Sequence, residues 1–172
     1  MCIRDRRPPI DLDVVDYIQV TADTYSSLGY DSYRWADNSA EPPTLAAPTK
    51  PLDQSRVVLI ASGGIYRVGD VGFTHKDDTT FREIPTDVPT DELRVTHFAY
   101  DQTNAREDVN VVFPIDALRA LATNGELGEL AEVALTFMGG IYSQRRLGES
   151  LIPPLVERVQ DLEADIALLV PV

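Results

Sequence analysis

The sequence predicts an α/β fold, with a doubly wound, mostly parallel sheet that carries helices on both faces and is incomplete at its C-terminal end. Apolar segments of strand length alternate with segments of helical periodicity after residue 55. Only three or four such strands can be counted, whereas a typical sheet has about five or six. The final apolar segment, Ile166–Val170, resembles a buried parallel strand, which normally lies mid-sheet and continues into a loop and a helix.

The composition excludes several classes of partner. The chain of 172 residues is 44% hydrophobic and 25% charged, as in ordinary globular domains. Its net charge of −13 would repel phosphate backbones, so we expect no nucleic-acid partner. No apolar run has the length of a membrane helix and no signal peptide is recognisable, so we expect no membrane partner and a cytoplasmic location. With one cysteine and two histidines we predict neither a disulfide framework nor a metal site.

The order of elements predicts three parts. Residues 1–11 are basic and proline-containing in an acidic chain, and we interpret them as a leader that is either non-native or disordered. Residues 12–55 are predicted to form an N-terminal helix over 12–30, ended by Gly29, and a proline-rich arm on the surface. Residues 56–172 are predicted to form a partial α/β domain.

Within the third part the first strand, Arg56–Ala61, precedes a polar excursion over residues 66–92. We expect the excursion to lack structure of its own, apart from a short strand at Phe81–Pro85. The remaining predicted elements follow in chain order: a strand at Leu93–Phe98, a helix at Ile115–Asn124 capped by Gly125, a short turn at Leu127–Leu130, a strand at Val133–Met138, a helix at Leu151–Ala164 with Pro153 and Pro154 in its first turn, and the strand Ile166–Val170.

Two glycine-containing turns are candidate binding sites for a substrate. Ser62, Gly63 and Gly64 follow the first strand, where adjacent glycines let the backbone approach a ligand and successive amides can bind an anion. Met138 and Gly139 follow the third strand in the same way. No nucleotide-binding fingerprint accompanies them. A tight turn is the alternative explanation for both.

Polar side chains after the second strand are candidates to support catalysis. His97 is followed by Asp101 and Asn110, and a histidine near carboxylates can act as a general acid or base or bind a substrate carboxylate. The alternative is a histidine hydrogen-bonded within a loop. Arg82, beside apolar neighbours, could bind a carboxylate through two parallel hydrogen bonds, or form an internal ion pair.

Read in order, several segments resemble the selenoprotein B family of glycine, sarcosine, betaine and D-proline reductases. The most specific pair is an Arg-Val-Thr-His strand followed by Asp-Val-Asn-Val-Val-Phe-Pro. The resemblance covers nearly everything after the first dozen residues. The matching segments are Tyr25–Trp35, Lys50–Gly64, Phe81–Pro85, Leu93–Asp101, Asp108–Leu121, Phe137–Gly139 and Ala167–Val172.

The resemblance implies an α/β protein that reductively cleaves a C–N bond of a small amino-acid-type substrate. Its nucleophile would be a selenocysteine or a cysteine directly after Val172, outside this chain, so we expect the chain to be truncated and inactive alone. A UGA selenocysteine codon read as a stop would explain the ending. The resemblance also implies other reductase subunits as partners, one of them carrying a pyruvoyl group. This chain itself is expected to hold no cofactor.

Two functional hypotheses follow. The first is a truncated reductase subunit acting on glycine, sarcosine, betaine or D-proline. The second is a non-catalytic α/β module that binds a small carboxylate through Ser62, Gly63, Gly64 and Arg82. Under either hypothesis a final strand without a successor leaves an apolar sheet edge, so we expect marginal stability or self-association.

Overall fold

The computed structural model describes residues 17–31, 40, 46–75 and 77–172. The chain divides into two compact units, Met1–Leu45 and Ala46–Val172. In the first unit, helix α1 (Tyr17–Ser27) is followed by Gly29 with φ of +81°, the left-handed conformation expected of a glycine that ends a helix. Residues 1–16, which include the predicted leader and the start of the predicted helix, lie outside the described residues. The predicted three-part division stays a prediction.

The second unit contains all the strands of the described residues. These are β1 (Arg56–Ala61), β2 (Ile65–Arg67), β3 (Phe81–Pro85), β4 (Leu93–Val95), β5 (Glu129–Leu130), β6 (Val133–Phe137) and β7 (Ile166–Val170). Its helices are α2 (Thr103–Glu107), α3 (Ile115–Thr123), α4 (Gln144–Arg146) and α5 (Ile152–Asp161), with a π-helical turn at Leu147–Leu151 and 3₁₀ turns at Leu52–Gln54, Thr90–Glu92 and Val109–Val111. Among the described residues no helix is long and apolar enough to cross a membrane.

Strand β1 lies at the centre of the main sheet. It pairs in parallel with β7 along one edge, from Val57↔Ile166 to Ala61↔Val170. Its other edge pairs in parallel with β5 and then β6. Strand β3 joins β6 antiparallel, which makes the sheet mixed. The predicted α/β fold with a mostly parallel sheet is confirmed, whereas the double winding stays a prediction.

Alternate residues of β1 enter two separate apolar cores, because successive side chains of a strand point to opposite faces. On one face Val57, Leu59 and Ala61 pack in a cluster with Ile115 and Leu118 of α3. On the other face, Val58 and Ile60 pack in a cluster with Leu162 and with Leu155 and Val159 of α5. The two helices therefore bury their apolar faces against opposite faces of the sheet.

Three predicted elements differ in the structure, each because of a long-range hydrogen bond. The strand predicted at Phe81–Pro85 is confirmed as β3, but the rest of the excursion over 66–92 is not structureless, since it begins in β2 and ends in the 3₁₀ turn Thr90–Glu92. The predicted strand Leu93–Phe98 is limited to β4, which pairs with β2 in a separate antiparallel ribbon and not in the main sheet. The turn predicted at Leu127–Leu130 is wrong, because Glu129 donates its amide to the Ser55 carbonyl and continues as β5.

The last strand is confirmed as parallel but is not buried. Leu168 is 37% exposed and Leu169 is 66% exposed. Within the part of the chain that the structure describes, β7 pairs with β1 alone. In this structure β7 is therefore not buried in the middle of the sheet but is an edge strand with exposed leucines, which is the apolar edge expected of a final strand without a successor.

Candidate functional site

Three loops meet at the carboxyl ends of β1, β6 and β7, because parallel strands end at the same edge of a sheet. The Ser62 amide donates to the Val170 carbonyl oxygen (3.1 Å), and the Gly139 amide donates to the Ser62 carbonyl oxygen (2.9 Å). The Val172 amide donates to Ser62 Oγ (2.9 Å). These hydrogen bonds join the loops into one region, which we call the carboxyl-edge site: Ser62–Gly64, Met138–Gly140 and Pro171–Val172.

The glycines of this site allow segments of backbone to pack against each other. Gly64 has φ of +72°. A Cβ there would lie 2.9 Å from the Thr96 carbonyl carbon and closer still to its oxygen. The amides of Gly64 and Gly139 already donate to the carbonyls of Phe137 and Ser62. A tight turn, the alternative left open by the sequence, accounts for both glycines, and their contact with a substrate stays a prediction.

Met138 also belongs to the carboxyl-edge site. It is 1% exposed, and its sulfur accepts a hydrogen bond from the Gly140 amide (3.2 Å). The residue therefore lies beneath the loop and not on its surface. Binding of a substrate by Met138 stays a prediction.

His97 is a buried, neutral histidine at this edge. It is 4% exposed, and burial lowers its pKa below the ordinary value of 6.5. Nδ1 accepts a hydrogen bond from the Ala99 amide (3.0 Å), so the ring proton is on Nε2. Among the described residues Nε2 has no hydrogen-bond partner. A buried donor without an acceptor costs about 1–3 kcal/mol, so this N–H is a candidate to contact a water or a ligand.

Tyr100 connects His97 to the first loop of the site. Its ring centroid lies 4.7 Å from that of His97, and its hydroxyl donates to the Gly63 carbonyl oxygen (3.0 Å). Burial raises the pKa of the hydroxyl, which stays protonated and able to donate. Tyr100 was not among the predicted site residues, although it lies within the segment around His97.

Phe98 and Tyr142 form an aromatic pair at the surface of the site. Their ring centroids are 5.9 Å apart with an interplanar angle of 33°. Phe98 packs over Gly140, where a Cβ would lie 2.5 Å from the phenyl ring. Neither residue was among the predicted site residues, since nothing in the spacing of positions 98 and 142 indicates that the two rings are in contact.

Asp101 and Asn110, the other predicted supporting residues, make hydrogen bonds within their own loops. Asp101 Oδ1 accepts from the side chain and the amide of Thr103, and these two bonds lower the pKa of its exposed carboxyl group. Asn110 Nδ2 donates to Asp108 and Asp116, and Asn110 Oδ1 accepts from the Asp116 amide. Both side chains thus brace the beginnings of helices. A role in the site stays a prediction for each.

Arg82 makes four hydrogen bonds to its own chain and a contact with an aromatic ring. It donates to the carbonyls of Val71, Gly72 and Phe81 and to Thr80 Oγ1. Its guanidinium carbon also lies 4.4 Å from the centre of the Phe73 ring. Within the described residues Arg82 does not form the ion pair offered as the alternative, because its acceptors are uncharged. Through its bonds to Val71 and Gly72, Arg82 connects the excursion to β3. Binding of a carboxylate by Arg82 stays a prediction.

The acidic loop within the excursion has a structural role. Asp78 is 8% exposed and accepts hydrogen bonds from the amides and hydroxyls of Thr74 and Thr80. Burial acts to raise the pKa of Asp78, but the hydrogen bonds from Thr80 and Thr74 together lower it below the ordinary value. In the described ranges no group of three or more His, Cys, Asp or Glu side chains could hold a metal ion.

Comparisons with known proteins identify the family. Residues 38–161 match the family model described as glycine/sarcosine/betaine reductase selenoprotein B. The chain is 33% identical over 128 residues to D-proline reductase subunit gamma of Acetoanaerobium sticklandii, covering 74% of this chain and 53% of that protein. It is 27% identical over 88 residues to glycine reductase complex component B subunit gamma of Symbiobacterium thermophilum, covering 48% of this chain and 20% of that protein.

A third relative is betaine reductase complex component B subunit beta of Peptoclostridium acidaminophilum, 27% identical over 100 residues that cover 55% of this chain and 23% of that protein. No solved structure matches the chain. The chain spans about half the length of the D-proline reductase subunit and about a fifth to a quarter of the other two. The three relatives are named as subunits of reductases. The resemblance stated from the ordered segments is confirmed, and the chain belongs to the glycine/sarcosine/betaine reductase selenoprotein B family.

Proposed function

We propose that this chain is part of a subunit of a reductase complex that cleaves the C–N bond of glycine, sarcosine, betaine or D-proline. Its partners are the other subunits of that complex. The longer alignment and higher identity with the D-proline reductase subunit make D-proline the first substrate to test. The observation that carries the proposal is the meeting of three strand ends at the carboxyl-edge site in a chain of this family.

The redox residue is proposed to follow Val172 as a selenocysteine or cysteine. The family resemblance is the basis for this position. The segment before it is hydrogen-bonded at two points to the loop after β1, through Val170 and Val172. The next Cα would lie about 3.8 Å from that of Val172, beside a well-anchored loop. A chalcogen anion there would benefit from the free amides and dipole of a following helix.

Reductive cleavage replaces the C–N bond with a C–H and an N–H bond, and it consumes two electrons and two protons. The single cysteine of the sequence, Cys2, lies outside the described residues. The electrons are therefore assigned to the redox residue and to partner subunits. The resemblance implies a partner pyruvoyl group that activates the amine. The described residues contribute a rigid edge and the neutral N–H donor of His97.

The test is reduction by the assembled complex that contains the full subunit, encoded by the gene read past the Val172 codon, with a dithiol as reductant. The substrate is identified by its product: ammonia from glycine, methylamine from sarcosine, trimethylamine from betaine, or a ring-opened amino acid from D-proline without release of an amine. A variant with serine at the proposed redox position is the control. Equal turnover by this variant, or consumption of none of the four compounds, would refute the proposal.

A further inference from the structure

The aromatic pair of Phe98 and Tyr142 is an exposed apolar feature that adjoins the carboxyl-edge site. Phe98 is 37% exposed and Tyr142 is 57% exposed. Exposed aromatic faces are ligands for cations, since the π electrons present a negative potential to a charge within about 6 Å of the ring centre. The two ring centroids lie 5.9 Å apart, close enough for both rings to contact one organic cation.

Both rings are held in position by contacts beneath them. Phe98 lies on the Cα of Gly140, and its ring stacks beside the buried His97 ring with 6.0 Å between the centroids. The backbone of Tyr142 is fixed by Asp77, whose Oδ1 accepts from the amides of Tyr142 (2.7 Å) and Ser143 (3.1 Å). Asp77 also places a carboxylate near this loop. Its negative charge is compensated in part by Arg146, whose guanidinium nitrogen lies 3.8 Å from the carboxylate oxygen. The ring pair is thus preorganised, which reduces the entropic cost of binding.

Exposure of two aromatic rings alone does not define a site. Tyr25 and Tyr30 are also exposed and lie 5.8 Å apart, but they belong to the first unit, Met1–Leu45. What distinguishes Phe98 and Tyr142 is that Phe98 packs on Gly140 of the carboxyl-edge site and stacks beside the ring of His97, whose Nε2 has no hydrogen-bond partner among the described residues. The Tyr25–Tyr30 pair therefore serves as an internal control.

We propose that Phe98 and Tyr142 form a subsite for the substituted ammonium group of the substrate. The inference rests on the proposed function and narrows its substrate class to compounds with an alkylated nitrogen: sarcosine, betaine or D-proline. Alkyl groups on nitrogen weaken hydration of the cation and pack against ring carbons, whereas the NH₃⁺ group of glycine is strongly hydrated. The rings therefore favour the alkylated substrates over glycine.

The first test is titration of the chain with tetramethylammonium chloride, followed by ring proton chemical shifts, with ammonium chloride at equal ionic strength as the reference. We expect saturable shifts with tetramethylammonium and none with ammonium. Removing one ring by Tyr142→Leu or Phe98→Leu should weaken binding about two- to fivefold. Tyr142→Phe, which keeps the ring, should bind as the unmodified chain does, and so should the control Tyr30→Leu.

Gly140→Ala tests the same subsite without removing a ring, because its methyl group must push Phe98 aside. We expect the folded circular dichroism spectrum with weakened tetramethylammonium binding. Shifts that do not saturate, or that survive Tyr142→Leu and Phe98→Leu together, would overturn the subsite. Equal loss of binding in Tyr30→Leu would also overturn it, since the effect would then not be specific to this pair.

Activity of the assembled complex separates this inference from the proposed function. Tyr142→Leu should raise KM for an alkylated substrate about two- to fivefold and change kcat little. Turnover with an unchanged KM, or loss of partner-subunit binding as the only effect, would refute the subsite and leave the proposed function standing. Ring-dependent tetramethylammonium binding without turnover of any of the four substrates would refute the proposed function and support the subsite as an ammonium site.

Discussion

Replacing Gly64 by alanine should destabilise the protein far more than the same change at another glycine of similar backbone conformation. Gly64 has φ of +72° and Gly125 has φ of +73°. An alanine in this region costs about 1–2 kcal/mol at either position. The two sites differ in their surroundings, because a Cβ at Gly125 meets nothing within 4 Å, whereas one at Gly64 collides with the Thr96 carbonyl group.

The additional cost at Gly64 follows from the hydrogen bonds that the collision disturbs. Thr96 donates its amide to the Gly64 carbonyl (2.9 Å), and the Gly64 amide donates to the Phe137 carbonyl (2.9 Å). Separating the two backbones breaks the first bond and strains the second, which adds about 2–3 kcal/mol. We therefore expect a loss of about 3–5 kcal/mol for Gly64→Ala and about 1–2 kcal/mol for Gly125→Ala.

The assay is urea unfolding of the chain, followed by far-ultraviolet circular dichroism at pH 7, with the slope of the transition compared among the variants. A Gly64→Ala loss within about 0.5 kcal/mol of the Gly125→Ala loss would refute the reasoning. That result would mean that the turn after β1 can move away from Thr96 without a loss in the free energy of unfolding.

Further predictions concern charge and the exposed edge. Asp78→Asn should lower the free energy of unfolding by about 2–3 kcal/mol at pH 7. Because the folded-state pKa of Asp78 is lowered, this difference in stability between the variant and the unmodified chain should shrink as the pH falls below 3.8 through that pKa. Urea unfolding at several pH values measures it. Because the pKa of His97 is lowered in the folded state, it contributes stability above pH 6.5 that is lost as the pH falls through its folded-state pKa. His97→Phe should therefore reduce the pH dependence of the free energy of unfolding below pH 6.5. An unaltered pH dependence would contradict this prediction. Arg82→Lys should cost about 1–2 kcal/mol of stability, because hydrogen bonds to carbonyl groups and the contact with the Phe73 ring are lost. It should leave KM of the complex unchanged. A raised KM with normal stability would instead favour carboxylate binding by Arg82. Leu169, which is 66% exposed on β7, should promote self-association, and sedimentation at increasing concentration should show less of it for Leu169→Lys.

The candidate site was accessible to sequence reasoning only in part. The turn after β1 could be predicted because a strand followed by Ser62-Gly63-Gly64 is a local pattern. His97 was selected because it stands at the end of the predicted strand Leu93–Phe98, yet the observed strand, β4, is outside the main sheet. It reaches the carboxyl-edge site through the Thr96–Gly64 hydrogen bond and through the neighbouring Tyr100. Asp101 and Asn110 were selected by the same reasoning, and the structure shows them bracing helices.

The sequence by itself determined the elements whose cause is local. The apolar run of β1, the prolines at the beginning of α5 and the glycine after α3 specify their elements within a few residues, because propensity and periodicity act over one or two turns. The ordered segments of the family could likewise be recognised without coordinates. Tertiary structure decided which hydrogen-bonding groups and side chains are in contact across large sequence separations. Glu129 forms a strand because its amide pairs beside Ser55, the Arg82 guanidinium donates to backbone carbonyls of Val71 and Gly72, and the rings of Phe98 and Tyr142 come into contact. Such pairings depend on where the whole chain brings each backbone, and local sequence carries little information about that.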